Sequence, residues 1–185
     1  MSILDRLVMN YESFVQLPWT ATLPAKQRVW FAVYPPSEER QLRVLLPEFE
    51  SATISAKHDW HLIDITTEPA AWISRHEYRE GLFAEPSAMT NVEEEMRLDI
   101  VSVIAGACQK DGVTNNSVVA VFGMSSLFGF THVSGVVSGV EERIKGRLLV
   151  FFPGSFERNL YRFMDARDGF NYMAVPITCD ERISR

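Results

Sequence analysis

The chain has 185 residues, 46% of them hydrophobic and 23% charged, a balance that excludes disordered and fibrous classes and is enough for a packed core without disulfide or metal support. A formal net charge of −6 opposes generic attraction to a phosphate backbone, so direct DNA binding is not expected unless a local basic patch overcomes that balance. Cys108 and Cys179 have neither metal-site nor disulfide-framework spacing, and the opening MSILDRLVMNYESF lacks the basic and apolar regions of a secretory signal, which together lead to the expectation of a cytoplasmic chain with free thiols.

Apolar residues at helical spacing from Ile3 to Val15, behind a Ser2/Asp5 capping box, predict an amphipathic helix that ends at Pro18. Residues 16–27 read as a loop, and the continuous apolar run 29–34 as a strand buried on both faces. Pro35 and Pro36 stop it, and Ser37 is placed as the cap of a helix carrying Leu42, Leu45, Leu46 and Phe49 on one face, kinked at Pro47. Residues 58–65 give the next strand, with Thr67 capping a helical segment that closes near Gly81. Thr90 with Glu93 predicts the start of a long helix facing Met96, Ile100, Val103, Ile104 and Ala107 inward, with Gly112 ending it.

Residues 118–122 form another apolar strand, and Gly123 begins a turn into a helix with Phe130, Val133, Val137, Val140 and Ile144 on one stripe. Interior glycines cost about 1 kcal/mol each against alanine, so Gly135 and Gly139 predict close approach of a neighbouring element. Glycines, serines and His132 interrupt the apolar window 117–137, which reads as strand, turn and helix rather than a membrane span. Residues 148–152 make a fourth strand, broken at Pro153-Gly154, and residues 172–177 a fifth, with Pro176 at an edge or strand end. Between them, Leu160, Phe163 and Met164 fit a helix, whereas Asp168-Gly169 fits a hairpin turn.

Strands alternating with helices predict one three-layer α/β domain over residues 1–185, with a mostly parallel sheet of about five strands flanked by helices and residues 1–17 packed on it as a helix. Ligands of such sheets meet the carboxyl ends of the strands, so residues 35–36, 64–67, 123–126 and 153–157 are expected on one rim.

Three sets of residues carry candidate chemistry. Gly123, Ser125 and Ser126 follow a strand and precede a helix, an arrangement that offers N–H groups and hydroxyls to an anion, although no Walker lysine is present. The histidines lack companions: His58 and His61 diverge along a strand, His76-Glu-Tyr-Arg-Glu80 has Glu where a zinc protease has its second histidine, and His132 reads as structural. No metal or other cofactor is expected. Arg158, Asn159, Arg162, Asp165, Arg167, Asp168 and Asn171 cluster after Pro153, yet no nucleophile or histidine completes a mechanism, so an interaction surface is the favoured reading. Phe151, Phe156, Tyr161, Phe170 and Tyr172 divide between that surface and the core.

The stretch GRLLVFFPG followed by YRFMDARDGFNYMAVPI resembles the small B component (BrxB family) of the BREX phage-defence systems. The similarity extends to RVWFAVYPPSEER at 28–40, WHLID at 60–64, HEYRE at 76–80 and SLFG at 126–129. It implies a small cytoplasmic component encoded with a large ATPase, a DNA methyltransferase and a PglZ-type phosphatase-like protein. It also implies service as a non-catalytic adaptor to those partners, with no family catalytic motif to transfer. The other reading, from the residues themselves, is a nucleotide- or phosphate-binding, degenerate NTPase-like domain built on residues 123–129.

Overall fold

The computed structural model describes residues 2–20 and 22–180; residues 1, 21 and 181–185 of the expected domain lie outside the described residues. The chain runs through α1 (Ile3–Val15), β1 (Val29–Tyr34), α2 (Glu39–Ser55), β2 (Asp59–Asp64), α3 (Glu68–Arg75), α4 (Arg79–Ala84) and α5 (Glu93–Gln109). It continues through β3 (Ser117–Phe122), α6 (Val133–Val140), β4 (Arg147–Glu157), β5 (Leu160–Phe163) and β6 (Val175–Ile177).

The sheet order is β2-β3-β4-β1-β6, with every pair along it parallel and β5 added antiparallel to β4. Position in that order explains the sequence patterns. β1 and β3 lie inside and are buried at every residue, hence their unbroken apolar runs, whereas β2 is an edge and alternates with water. Pro176 sits opposite Phe31 on the other edge strand, β6, as expected of a residue that cannot donate to a ladder on both sides.

Period-two alternation divides the buried side chains between two faces. Trp30, Ala32 and Tyr34 of β1 and Leu149 and Phe151 of β4 join Leu4, Leu7 and Tyr11 of α1 and Leu42 and Phe49 of α2. Phe31 and Val33 of β1 and Val150 and Phe152 of β4 join Ile100 and Ile104 of α5, Val136 and Val140 of α6, and Tyr161 and Phe163 of β5. The result is the expected α/β architecture, a mostly parallel sheet flanked by helices. At Gly139 an added Cβ would lie 2.7 Å from Val101 Cγ2, and at Gly135 it would lie 3.1 Å from Arg97 Cδ, so both glycines admit α6 against α5.

Several expectations require correction. β4 does not break at Pro153-Gly154. It leaves β1 after the Tyr34–Pro153 pair and continues antiparallel to β5 from the Gly154–Phe163 pair, so the proline's missing donor falls where the strand changes partner. Residues 160–164 are therefore strand and turn, not helix. The hairpin turns at Arg158-Asn159, with φ of 50° and 64°, rather than at Asp168-Gly169. Gly129, at φ 82°, belongs to a looped passage, and the helix expected from Gly123 starts only at Val133, leaving Phe130 before it and Ile144 after it. The last strand has contracted to three residues. Ser2 and Asp5 form the expected capping box, but Thr67 makes no side-chain cap bond, Ser37 lies in a short 3-10 turn before α2, and Thr90 lies in another before α5. The segment expected to close near Gly81 is split at His76, whose extended backbone separates α3 from α4.

Candidate functional site

Because its main strands are parallel, the sheet brings the loops after β1, β2, β3 and β4 to one edge, as Tyr34 opposite Pro153 and Asp64 opposite Phe122 attest. β1 is followed by a helix on one face and β4 by a hairpin packed on the other, so the chain directions part between these two neighbours. That is where α/β sheets place ligands. Beside it stands Glu39, whose carboxylate accepts from Tyr34 Oη through Oε2 and from Ser125 Oγ at 2.9 Å through Oε1. Burial first, and the Glu39 carboxylate next, push the Tyr34 phenol far up, so it remains a donor.

The adjacent rim is equally self-contained. Asp64 Oδ1 accepts from Thr66 N at 2.9 Å and from the Thr66 hydroxyl, while Asp64 Oδ2 accepts from Arg43 Nη1 at 2.8 Å. Burial pushes Asp64 up, but the hydrogen bonds from Thr66 and Arg43 outweigh it and hold the carboxyl below its usual range. Arg43 in turn lies 4.4 Å above the Phe122 ring. Gly123, at φ 92°, has no room for a Cβ, which would sit 2.6 Å from Thr66 N. Ser126 Oγ donates to the carbonyls of Gly123 at 2.8 Å and Ile65 at 3.3 Å. Thus Gly123, Ser125 and Ser126 do come together, on a four-residue 3-10 turn, but the Ser125 hydroxyl is directed to a carboxylate. An anion at this place would meet that charge, so the geometry gives the phosphate-binding reading no support.

The charged excursion is different. β5 alternates, directing Tyr161 and Phe163 into the core and Leu160 and Arg162 outward. Tyr161 is fully buried, donates its hydroxyl to the Ala174 carbonyl at 2.7 Å, and stacks edge-on against Phe31 at 4.7 Å. Gly154 admits the opposing strand, since a Cβ there would lie 2.0 Å from the Arg162 carbonyl oxygen. A rigid base therefore presents Arg158, Asn159, Arg162, Asp165, Arg167, Asp168 and Asn171, every one of them exposed. Among the described residues none of these arginines or aspartates is in an ion pair. The aromatics expected to divide went mostly inward: Phe151 into the face under α1 and α2, and Phe156, Tyr161, Phe170 and Tyr172 against the other. The exposed apolar groups on this side are Leu160, Met173 and Phe128; sequence reasoning did not single out Met173 or Phe128 as surface groups and fitted Leu160 to a helix, although alternation in LYRF was the available signal that it points outward.

Comparison with family models, with curated proteins and with solved structures found no match to this chain.

Beside the excursion lies a cleft of about 420 Å³ between residues 128–134 and 163–170. Arg167, Asp168, His132 and Glu93 supply its charged and polar lining, and Phe163 and Phe170 part of its apolar lining. His132, read as structural from its apolar neighbours, is exposed at the start of α6, its Nε2 3.9 Å from Glu93. The remaining histidines are dispersed. His58 stacks on Trp19 at 3.7 Å and pairs with Asn116, His61 lies on the β2 edge, and His76 lies 3.6 Å from Glu95 on α5. Among the described residues no three His, Cys, Asp or Glu side chains are grouped to hold a metal ion, and no helix is long and apolar enough to cross a membrane.

Proposed function

We propose that this chain is a non-catalytic adaptor of a BREX-type antiphage complex, docking through the β4–β5 hairpin and the segment that follows it. The observation that carries the reading is a rigidly anchored excursion whose three arginines are exposed and, among the described residues, without carboxylate partners, next to exposed Leu160 and Met173. Arginine beside apolar groups is the composition of interface hot spots, because a guanidinium supplies bidentate hydrogen bonds and a planar surface at once. The resemblance of residues 146–177 to the BrxB family supplies the identity of the partners: the PglZ-type phosphatase-like protein, the large ATPase or the DNA methyltransferase. A cytoplasmic location belongs to the same reading.

The test is co-expression of the tagged chain with those three proteins. Capture of at least one of them through a salt wash is expected. Capture of none, with the tagged chain folded and in excess, sinks the adaptor role.

A further inference from the structure

The opposite edge of the sheet, where the strands begin, has an unlike charge. The chain has four lysines, Lys26, Lys57, Lys110 and Lys145. Each stands in the segment leading into a different strand: Lys57 before β2, Lys110 before β3, Lys145 before β4 and Lys26 before β1. Sheet order makes those four strands consecutive neighbours, so the lysines form a row, one per strand. Cross-links confirm that the segments meet. Lys145 Nζ donates to Val113 O at 3.1 Å, Arg28 Nη1 to Ile144 O at 3.1 Å, and Asn116 Nδ2 to Lys57 O at 2.9 Å.

All four lysines are exposed. Among the described residues none is in an ion pair, and the ammonium groups of Lys26, Lys57 and Lys110 have no hydrogen-bond partner, although Asp59, Asp111, Glu141 and Glu142 lie at this edge. Arg147, behind the row, is buried and spends its donors on the carbonyls of Gly146 and Thr20 while stacking 4.6 Å above Trp19. It adds positive charge without a carboxylate to cancel it. The net charge of −6 is therefore unevenly spread, and this edge is cationic.

We infer that the lysine row at the strand-start edge binds the sugar–phosphate backbone of a nucleic acid. Each of the four ammonium groups can meet one phosphate. Lysine, a mobile point charge, suits sequence-independent contact with phosphates, whereas the arginines on the hairpin suit planar, bidentate recognition of carboxylates. The two ends of the molecule thus offer different chemistry, and the inference goes beyond the docking role proposed above.

Lys57 and Lys110 also follow the C-termini of α2 and α5, where a cation is favoured by the helix dipole. That role alone would lower the melting temperature of a Lys→Gln variant without affecting binding. The experiment is fluorescence anisotropy of the full chain with labelled oligothymidylate, oligouridylate and a DNA duplex, from about 50 to 200 mM NaCl. Binding of at least one of them is expected. For a single strand the log K against log salt slope should be about −3, four phosphates at about −0.7 each, and each single Lys→Gln change should remove about 0.7 of it. Changing all four lysines to glutamine should abolish binding, changing all four to arginine should preserve it, and Arg158→Ala with Arg162→Ala and Arg167→Ala should leave it as in wild type. Absence of binding at the lowest salt, undiminished binding by the glutamine variants, or equal competition by a polyglutamate peptide of matched charge overturns the inference.

Discussion

Tyr161 is the anchor that turns the charged excursion into a fixed surface, and its replacement tests that assignment. Tyr161→Phe removes the hydroxyl that donates to Ala174 O at 2.7 Å and leaves a buried carbonyl unpaired, a cost of about 1–2 kcal/mol. Tyr161→Ala also deletes the ring that meets Phe156 at 4.5 Å, Phe31 at 4.7 Å and Phe152 at 5.7 Å, raising the cost to about 3–5 kcal/mol. For a chain of this size each kcal/mol moves the melting temperature by about 2–4 °C, so the phenylalanine variant should melt a few degrees lower and the alanine variant about 6–20 °C lower. Hydrogen exchange localises the effect. The amides of Met164, bonded to Pro153 O, and Phe170, bonded to Tyr161 O, should lose protection in the alanine variant before those of β1 and β3. Burial also pushes the Tyr161 phenol far up. Its contribution is whole below the ordinary tyrosine value and is lost as pH rises beyond it, an alkaline loss that Tyr161→Phe should lack. Unchanged melting and unchanged exchange in Tyr161→Ala would refute the packed hairpin.

Two glycines of the helical layer should respond in opposite directions. Gly106→Ala meets nothing within 4 Å and should stabilise α5 by about 1 kcal/mol, whereas Gly139→Ala drives a Cβ into Val101 and should cost about 1–3 kcal/mol, recovered in part by Val101→Ala; urea titration measures both. Asn159→Gly meets the preference of a two-residue hairpin turn with positive φ at both positions and should raise stability by about 1 kcal/mol, whereas a fall in melting temperature would argue against that turn. Burial pushes the Cys108 and Cys179 thiols up to about 11 from 9.0. Both should resist a thiol reagent at neutral pH until urea is added, and their stabilising contribution, whole below pH 9.0, should be lost as pH rises through about 11, measurable as a falling unfolding midpoint.

The parallel sheet was legible where burial on both faces writes a continuous apolar run, as in residues 29–34 and 118–122, and where a local bond has a sequence signature, as in the Ser2/Asp5 cap. Gly135 and Gly139 were informative because a helix tolerates interior glycine when a neighbour needs the space. Illegibility had equally local causes. A strand that exchanges a parallel partner for an antiparallel one can carry Pro153-Gly154 without ending, so the residues that looked like a stop mark a change of ladder. Arg158-Asn159 lacks the glycine that usually announces a two-residue turn, and four residues of β5 are too few for alternation to outweigh a helical spacing. His132 shares the helical spacing of its apolar neighbours but stands just before the first turn of α6, where its side chain is exposed. At the site, the clustering of Arg158, Arg162 and Arg167 was visible in the sequence, but the absence of ion pairs among them and the carboxylates beside them was not, since pairing depends on the turn that orients the side chains. Nor did the sequence order reveal that Glu39 would sit on Ser125, which only the fold brings together.

The most direct measurement of the docking role is the affinity of a captured partner for the wild-type chain and for the chain carrying Arg158→Ala, Arg162→Ala and Arg167→Ala. All three side chains are exposed and none is in an ion pair among the described residues, so the melting temperature should be unchanged. The account predicts a loss of affinity of at least about tenfold, roughly 1.4 kcal/mol. Equal affinity of the two proteins for that partner would contradict it.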